Sequence, residues 1–233
     1  MNWWSQRSVT FADRASAGSR LADRLLHYRG LDPLVLGIAR GGVVVGAPIA
    51  RALDGHLEVI VPRKLPIPFN PEAGFGAVAE DGTVYLDHSL MEACHLTTED
   101  VEHIKGKVLE EIHRRIARYR GNRPLPDMIG RTVILTDDGL ATGYTMMAAI
   151  VSVRKNHPHR VVVAVPVSPE RTAETVSHMS DEFICLLTVD TPVFAVASFY
   201  EDFHDLTDEE VIQCLAAFRK HQEGGLRDHS SCS

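Results

Sequence analysis

The sequence predicts an α/β fold, a doubly wound and mainly parallel sheet flanked by helices, with a small hood or lid. Unbroken apolar runs, of which Val133, Ile134 and Leu135 are typical, indicate strands covered on both faces, as in a parallel sheet. Segments with apolar residues at helical spacing alternate with these runs. The 233 residues suffice for one α/β core but not for two domains and a linker. We therefore expect a single domain over residues 1–225 and a polar tail over 226–233.

Composition and charge exclude several functional classes. The formal charge of −7 and the lack of a Lys/Arg-rich run give no footprint for nucleic acid. No apolar stretch approaches bilayer length, and the residues after Met1 do not read as a signal peptide, so we expect a cytoplasmic protein with no membrane partner. The cysteines lack CxxC spacing, which predicts buried or free thiols: Cys94, Cys185, Cys214 and Cys232.

The first elements form a strand–turn–helix unit. Residues 11–28 predict a helix with Asp13 as its cap and an apolar stripe at helical spacing. A strand over residues 34–38 opens onto a glycine-rich turn, and a helix over 43–53 and a strand over 57–61 follow. The glycines here do not have the GxGxxG spacing of a dinucleotide site, which weakens an oxidoreductase interpretation.

Residues 65–82 contain three prolines and three glycines with little periodicity. So long an irregular stretch in a compact domain is either a functional lid or an error of interpretation. Asp81-Gly82 between Val78 and Val84 favours a hairpin, with a second strand over residues 83–86. Glu80 and Asp81 are then a hairpin corner rather than active-site acids.

Two helices are predicted next. Asp87 can cap a short helix that extends through Cys94, and Thr97 or Thr98 starts a longer one with apolar residues at intervals of three and four. His103 and His113 lie on the longer helix without sharing a face, so we interpret both as surface residues.

The central stretch, residues 131–145, is a buried strand that runs into two carboxylates, Asp137 and Asp138. The carboxyl edge of an open α/β sheet is where ligands bind. Gly139 and Gly143 allow a tight turn, and Thr142 and Thr145 can cap the helix that begins near Gly143. Free amides of this loop and helix form an anion site beside acceptors for hydroxyls, which suits a sugar phosphate.

The last third contains strands over residues 160–166 and 183–188, with Ser168 as cap and Pro169 as first residue of the intervening helix. Residues 192–206 are rich in aromatic side chains, which either form a hood over a base or, as we favour, pack the last helix onto the sheet. Thr207 and Glu210 form a capping box for a final helix to about residue 221.

The run from Asp137 to Thr145 resembles the phosphoribosyl pyrophosphate signature of the type I phosphoribosyltransferases. Every position is of an allowed type except Tyr144, which the pattern leaves free. The resemblance implies that Asp137 and Asp138 hold the ribose hydroxyls. It also implies a substrate-binding loop for the 5′-phosphate, in which Ala141, Thr142, Gly143 and Thr145 contact the phosphate and Gly139, Leu140 and Tyr144 complete the loop.

The resemblance implies two further groups. Ala39, Arg40, Gly41 and Gly42 would bind the pyrophosphate, often through a non-proline cis peptide in this family. Arg63 and Lys64 would meet the leaving pyrophosphate and act with the two aspartates in catalysis. A solvated strand end stays open as the alternative for this basic pair.

The implied reaction is Mg²⁺-dependent displacement of pyrophosphate from phosphoribosyl pyrophosphate by a nitrogen of a small acceptor, such as a purine or pyrimidine base. Mg²⁺ would be held mainly by substrate oxygens and water. A homodimer is plausible from the family, and no DNA partner is expected. The alternative is a non-catalytic regulator of the same fold that senses phosphoribosyl pyrophosphate.

Overall fold

The computed structural model describes residues 10–121 and 123–229, with only the backbone of residues 221 and 223–229. The strands are β1 (Leu34–Ile38), β2 (His56–Ile60), β3 (Arg63–Ile67), β4 (Asn70–Val78), β5 (Val84–Leu86), β6 (Thr132–Thr136), β7 (Arg160–Pro169) and β8 (Glu182–Val189). The helices are α1 (Arg14–Leu25), α2 (Gly41–Ala52), α3 (His88–Ala93), α4 (Thr98–Arg120), α5 (Tyr144–Arg154), α6 (Glu170–Met179) and α7 (Asp208–His229).

The main sheet has five strands in the order β2-β1-β6-β7-β8, and every neighbouring pair is parallel. Alternate residues of each strand face opposite sides. Val35 and Ile134 pack with α1, α2 and α7, whereas Leu36 and Leu135 pack with α5 and α6. Helices therefore cover both faces, and the predicted doubly wound parallel sheet is confirmed.

The stretch that we expected to be irregular is instead part of a second, antiparallel sheet of β3, β4 and β5. Its pairing shifts register on both sides of Pro66, which has no backbone N–H to donate. Prolines and glycines interrupt the alternation that would have indicated strands. The hairpin predicted at Asp81-Gly82 is confirmed, because Val78 pairs with Val84 across it and Gly82 has a φ of +80°.

The acids of this hairpin corner have structural partners. Glu80 forms a 2.6 Å ion pair with Arg120 at the end of α4, where Arg120 is buried and Glu80 is largely buried. Asp81 accepts hydrogen bonds from the amide and the hydroxyl of Thr83. Both contacts agree with the hairpin interpretation that we favoured for Glu80 and Asp81.

Most predicted helix caps are confirmed: Asp13, Asp87 and Thr97 accept from backbone amides, and Thr207 forms its box with Glu210. The prediction that Ser168 caps α6 is wrong. β7 extends to Pro169, Ser168 pairs with Thr188 of β8, and Pro169 is the N-cap. The continued pairing with β8 keeps Ser168 in the strand.

The aromatic segment packs within the fold. The ring of Tyr200 packs at a tilt against those of Phe11 and Phe203, and with Val167 these residues form a small core between β7 and the start of α1. The packing interpretation is therefore supported, although the rings hold the start of α1 rather than the last helix. Phe11 itself precedes α1, because its backbone forms a β-bridge with Tyr200.

Among the described residues, Cys94, Cys185 and Cys214 are free thiols, as predicted, and no helix is long and apolar enough to cross a membrane. Cys232, the residues assessed for a signal peptide up to residue 9 and the end of the predicted polar tail at 230–233 lie outside the described residues. α7 extends to His229, beyond its predicted end near residue 221.

Candidate functional site

Two loops meet at the carboxyl edge of the main sheet because β1 and β6 are neighbours, with Gly37 paired to Thr136. Residues 39–42 follow β1, and Asp137 and Asp138 follow β6. The contact is so close that a Cβ on Gly41 would lie 1.9 Å from Asp138 Oδ2, and one on Gly42 would lie 2.3 Å from the carbonyl oxygen of Thr136. Both positions therefore require glycine.

The peptide bond between Ala39 and Arg40 is cis, as the resemblance implies. The amide of Ala39 donates to the carbonyl of Ile60 in β2 at 3.0 Å, which ties the loop to the neighbouring strand. α2 begins at Gly41 without a side-chain cap. The first amides of a helix have no partner within it, so this turn presents donors suited to an anion.

Asp137 and Asp138 form an adjacent acidic pair. Burial, and then the charge of Asp138, raise the pKa of Asp137 well above its usual range, although the amides of Asp138 and Gly42 partly oppose this shift. Burial also raises the pKa of Asp138, against the opposing effect of Arg14. Two carboxylates held in a desolvated corner are destabilised unless donors reach them, as the hydroxyls of a sugar would.

Arg14, in the first turn of α1, anchors the second carboxylate. Its Nε donates to Asp138 Oδ2 at 2.7 Å and its Nη1 donates to the carbonyl of His204 at 3.0 Å. The guanidinium lies 3.8 Å from the ring centre of Phe203. The Tyr200 hydroxyl donates to the backbone carbonyl of Asp138 at 2.7 Å. Asp138 is thus fixed through both its side chain and its main chain.

The start of α5 differs from our expectation. Gly143 is the N-cap, in the left-handed conformation with a φ of +77°, and no side chain caps this helix. The prediction that Thr142 and Thr145 cap α5 is therefore wrong, because Thr142 precedes the cap and Thr145 is already in the first turn. The uncapped amides and the helix dipole make this end an anion site.

Other residues of this loop make internal contacts. The amide of Leu140 donates to the carbonyl of Val167 at 2.9 Å, and the carbonyl of Ala141 accepts from the Thr172 hydroxyl at 2.8 Å. The Tyr144 hydroxyl donates to Asp87 at 2.6 Å. The side chain of Tyr144 thus binds the loop before α3, and only its backbone amide remains a candidate donor.

Arg63 and Lys64 lie at the start of β3. With Ala39 and Thr145 they line a cavity of about 410 Å³, so the structure brings both basic residues to the predicted loops. Arg63 pairs with Glu111 of α4 at 3.1 Å, and Lys64 donates to the carbonyl of Glu72. Burial, and then the charge of Arg115, lower the pKa of Arg63. These contacts disfavour the alternative of a merely solvated strand end.

Sequence reasoning did not predict Arg14 as a site residue, and it named Tyr200 only as a hood or packing residue, because both are remote in sequence from Asp138, which they contact. One signal was available for Arg14: a basic residue in the first turn of a helix opposes the helix dipole, and α1 has no acidic residue there. Such a placement suggests a carboxylate partner elsewhere in the fold.

The site offers oxygen ligands but no complete metal cluster among the described residues. Among the described residues, no group of three or more His, Cys, Asp and Glu side chains could hold a metal ion. The two adjacent carboxylates at positions 137 and 138 are hard oxygen ligands of the type Mg²⁺ accepts, and this ion usually keeps several waters and substrate oxygens. The residues therefore fit an ion that arrives with a phosphorylated ligand.

The chain is similar to a known protein family and to curated relatives. The family model of the phosphoribosyl transferase domain matches residues 13–202. Rv0571c of Mycobacterium tuberculosis, provisionally named a phosphoribosyl transferase, is 38% identical over 219 residues, which are 94% of this chain and 49% of that protein. This chain thus spans about half the length of that relative.

A solved structure is also similar over nearly its whole length. TT1426 from Thermus thermophilus is 39% identical to this chain, with a TM-score of 0.75. The match covers 90% of this chain and 99% of the Thermus chain. The fold described above is therefore shared with a protein of known structure.

Proposed function

The chain belongs to the type I phosphoribosyltransferase family, and we propose that it binds phosphoribosyl pyrophosphate between the two loops and transfers the phosphoribosyl group to a nitrogen acceptor. The observation that carries this proposal is the juxtaposition of the Asp137–Asp138 pair, the uncapped start of α5 and the glycine turn at 39–42 on one sheet edge. Acceptors for hydroxyls thus lie between two sets of anion donors.

Each part of the donor has a candidate partner. The carboxylates of Asp137 and Asp138 accept from the ribose hydroxyls, which relieves their desolvation. The amides at the start of α5 bind the 5′-phosphate. The amides of Arg40 and Gly41, with the side chains of Arg40, Arg63 and Lys64, bind the pyrophosphate.

In the reaction the bond between ribose C1 and the pyrophosphate oxygen breaks, and a bond from C1 to the acceptor nitrogen forms. A proton carried by that nitrogen passes to the departing pyrophosphate or to water. Positive charge develops on the ribose, as in glycoside cleavage, while negative charge grows on the pyrophosphate. The protein contributes orientation and fixed cations at the leaving group. Mg²⁺ supplies further neutralisation of the pyrophosphate when it is bound.

The test is pyrophosphate release from phosphoribosyl pyrophosphate and Mg²⁺ with a panel of purine, pyrimidine and amine acceptors. We expect release with at least one acceptor, and none from the Asp137→Asn/Asp138→Asn variant. Tight donor binding without release on any acceptor would instead support the sensor alternative. Release that is equal in the variant would contradict the assignment of the two aspartates.

A further inference from the structure

A basic face of α4 lies outside the donor site described above. Arg114, Arg115 and Arg118 are one helical turn apart or adjacent, so they share one side of the helix. With Glu111 and Asp208 they line a cavity of about 260 Å³. None of the three arginines belongs to the loops that hold phosphoribosyl pyrophosphate in the proposed function.

The carboxylates in this cavity are already paired. Glu111 lies 3.1 Å from Arg63 and 3.3 Å from Arg115, so one acid is shared by two cations. Asp208 lies 2.7 Å from Arg118 and 3.9 Å from Arg40, and it also accepts from the Tyr119 hydroxyl.

The cavity therefore has uncompensated positive charge. Arg114 is exposed and has no ion-pair or hydrogen-bond partner within residues 10–121 and 123–229. Within the described part of the chain, the ion-pair partners of the arginines at 40, 63, 115 and 118 are three acids, Glu111, Asp208 and Glu209. This local excess is notable in a chain with a formal charge of −7.

The basic cavity adjoins the donor site. Glu111 lines both this cavity and the larger one that contains Ala39, Arg63 and Lys64. Arg40 of the glycine turn approaches Asp208, which lines the smaller cavity. A group bound against α4 would therefore lie beside the pyrophosphate end of the donor.

We propose that Arg114, Arg115 and Arg118 form a second anion subsite, which takes the phosphate group of a ligand other than phosphoribosyl pyrophosphate. Guanidinium groups match phosphate oxygens with paired hydrogen bonds. The cavity is smaller than the roughly 300–1,000 Å³ of sites for whole drug-sized ligands, so it fits a phosphate-bearing end rather than a complete nucleotide. That this ligand is distinct from phosphoribosyl pyrophosphate rests on the proposed function.

The phosphate group can belong to the acceptor itself or to a separate phosphorylated effector. The two sources share the chemistry of recognition and differ in outcome. A phosphorylated acceptor is consumed as pyrophosphate is released. A phosphorylated effector changes donor affinity and is recovered unchanged.

The first experiment is equilibrium dialysis of radiolabelled pyrophosphate against protein saturated with phosphoribosyl pyrophosphate and Mg²⁺. We expect one further pyrophosphate per chain in the wild type. Arg114→Gln/Arg115→Gln should weaken this binding about tenfold, the scale of a lost charge-assisted hydrogen bond. The control Arg24→Gln/Arg29→Gln removes the same charge from two exposed arginines elsewhere, and the binding of pyrophosphate should be unchanged in it.

The subsite is refuted if the donor-saturated wild type binds no pyrophosphate. It is also refuted if the wild type and both double variants bind pyrophosphate equally. Should Arg114→Gln/Arg115→Gln fold poorly, the single variant Arg114→Glu replaces it, because Arg114 makes no ion pair or hydrogen bond within the described residues. This variant must then weaken the binding of pyrophosphate by itself. If the wild type does not bind the donor at all, the proposed function fails, and the same dialysis without donor still tests the subsite. Assays with pairs of phosphorylated and dephosphorylated compounds then distinguish an acceptor from an effector, because only an acceptor is consumed as pyrophosphate is released.

Discussion

At the scale of single residues, the two adjacent aspartates are expected to lower the stability of the fold while serving the binding of the donor. A carboxyl whose pKa is higher in the folded protein than in the unfolded chain keeps its proton to higher pH when folded. Such a group stabilises the fold as pH falls through that range and destabilises it above. Asp137 is such a group because burial and Asp138 raise its pKa.

Asp137→Asn should therefore increase the free energy of unfolding at pH 7 by about 0.5–2 kcal/mol, the range of single stabilising substitutions. It should also abolish binding of phosphoribosyl pyrophosphate. The stability gain should shrink near pH 4, where the wild-type carboxyl is protonated more in the folded than in the unfolded state. Urea titration of the wild type and the variant at both pH values measures this difference in the free energy of unfolding.

Asp81→Asn is the matched control. Burial raises the pKa of Asp81, but hydrogen bonds from Thr83 and Ser152 and the charge of Lys155 together lower it overall. A carboxyl whose pKa is lower in the folded protein stabilises the fold at pH values above its pKa in the unfolded chain, and this stabilisation is lost as pH falls. Asp81→Asn should therefore be less stable than the wild type at pH 7. The same sign for both variants would contradict the account.

The glycine at position 41 gives a second prediction. Gly41→Ala places a Cβ where Asp138 Oδ2 now lies, so the carboxylate or the turn must move. We expect destabilisation of about 1–3 kcal/mol, as for overpacking, together with loss of donor binding in calorimetry. Gly106→Ala, in the middle of α4 with open space around it, should instead add up to about 1 kcal/mol and leave binding intact. Equal effects would refute the close-approach argument.

At the scale of elements, α1 positions the acidic pair through Arg14. Removing one partner of a largely buried ion pair typically costs about 3–5 kcal/mol, so we expect Arg14→Met to cost about 3 kcal/mol. It should also raise the pKa of Asp138 further, because Arg14 lowers that pKa now. Donor affinity in the variant should then increase with pH across the acidic range more than in the wild type.

Arg20→Met is the control on the same helix. Arg20 lies over Phe11 and donates to the carbonyl of Thr10 at an exposed position, so its loss should cost less than about 1 kcal/mol. A flat pH dependence of donor binding in Arg14→Met would show that Arg14 has a purely structural role.

Some of the elements could be predicted from the sequence and others could not. The loop at 137–145 was predictable because its residue types follow one another in the chain, directly after an apolar strand. β3 and β4 were not, since Pro66, Pro71 and Gly74 interrupt the alternation and the pairing shifts register there. The Arg14–Asp138 contact spans 124 positions, and no local pattern encodes it.

At the scale of the whole molecule, the topology assembles the site. Loops distant in sequence meet because β1 lies between β2 and β6 and all three strands end on the same edge. The fold and its helix layers followed from the hydrophobic pattern, whereas the pairing of the two loops as one site followed from the resemblance of residues 137–145 to the family signature. The position of α4 beside the donor cavity depends on packing across the small sheet, which the sequence pattern did not reveal.

The most direct test of the central claim is calorimetric titration of phosphoribosyl pyrophosphate into the protein, with and without Mg²⁺. We predict binding of one donor per chain that is stronger with Mg²⁺ and is lost in Asp137→Asn/Asp138→Asn. The absence of binding in the wild type, or undiminished binding in that variant, would contradict the assignment of this sheet edge as a phosphoribosyl pyrophosphate site.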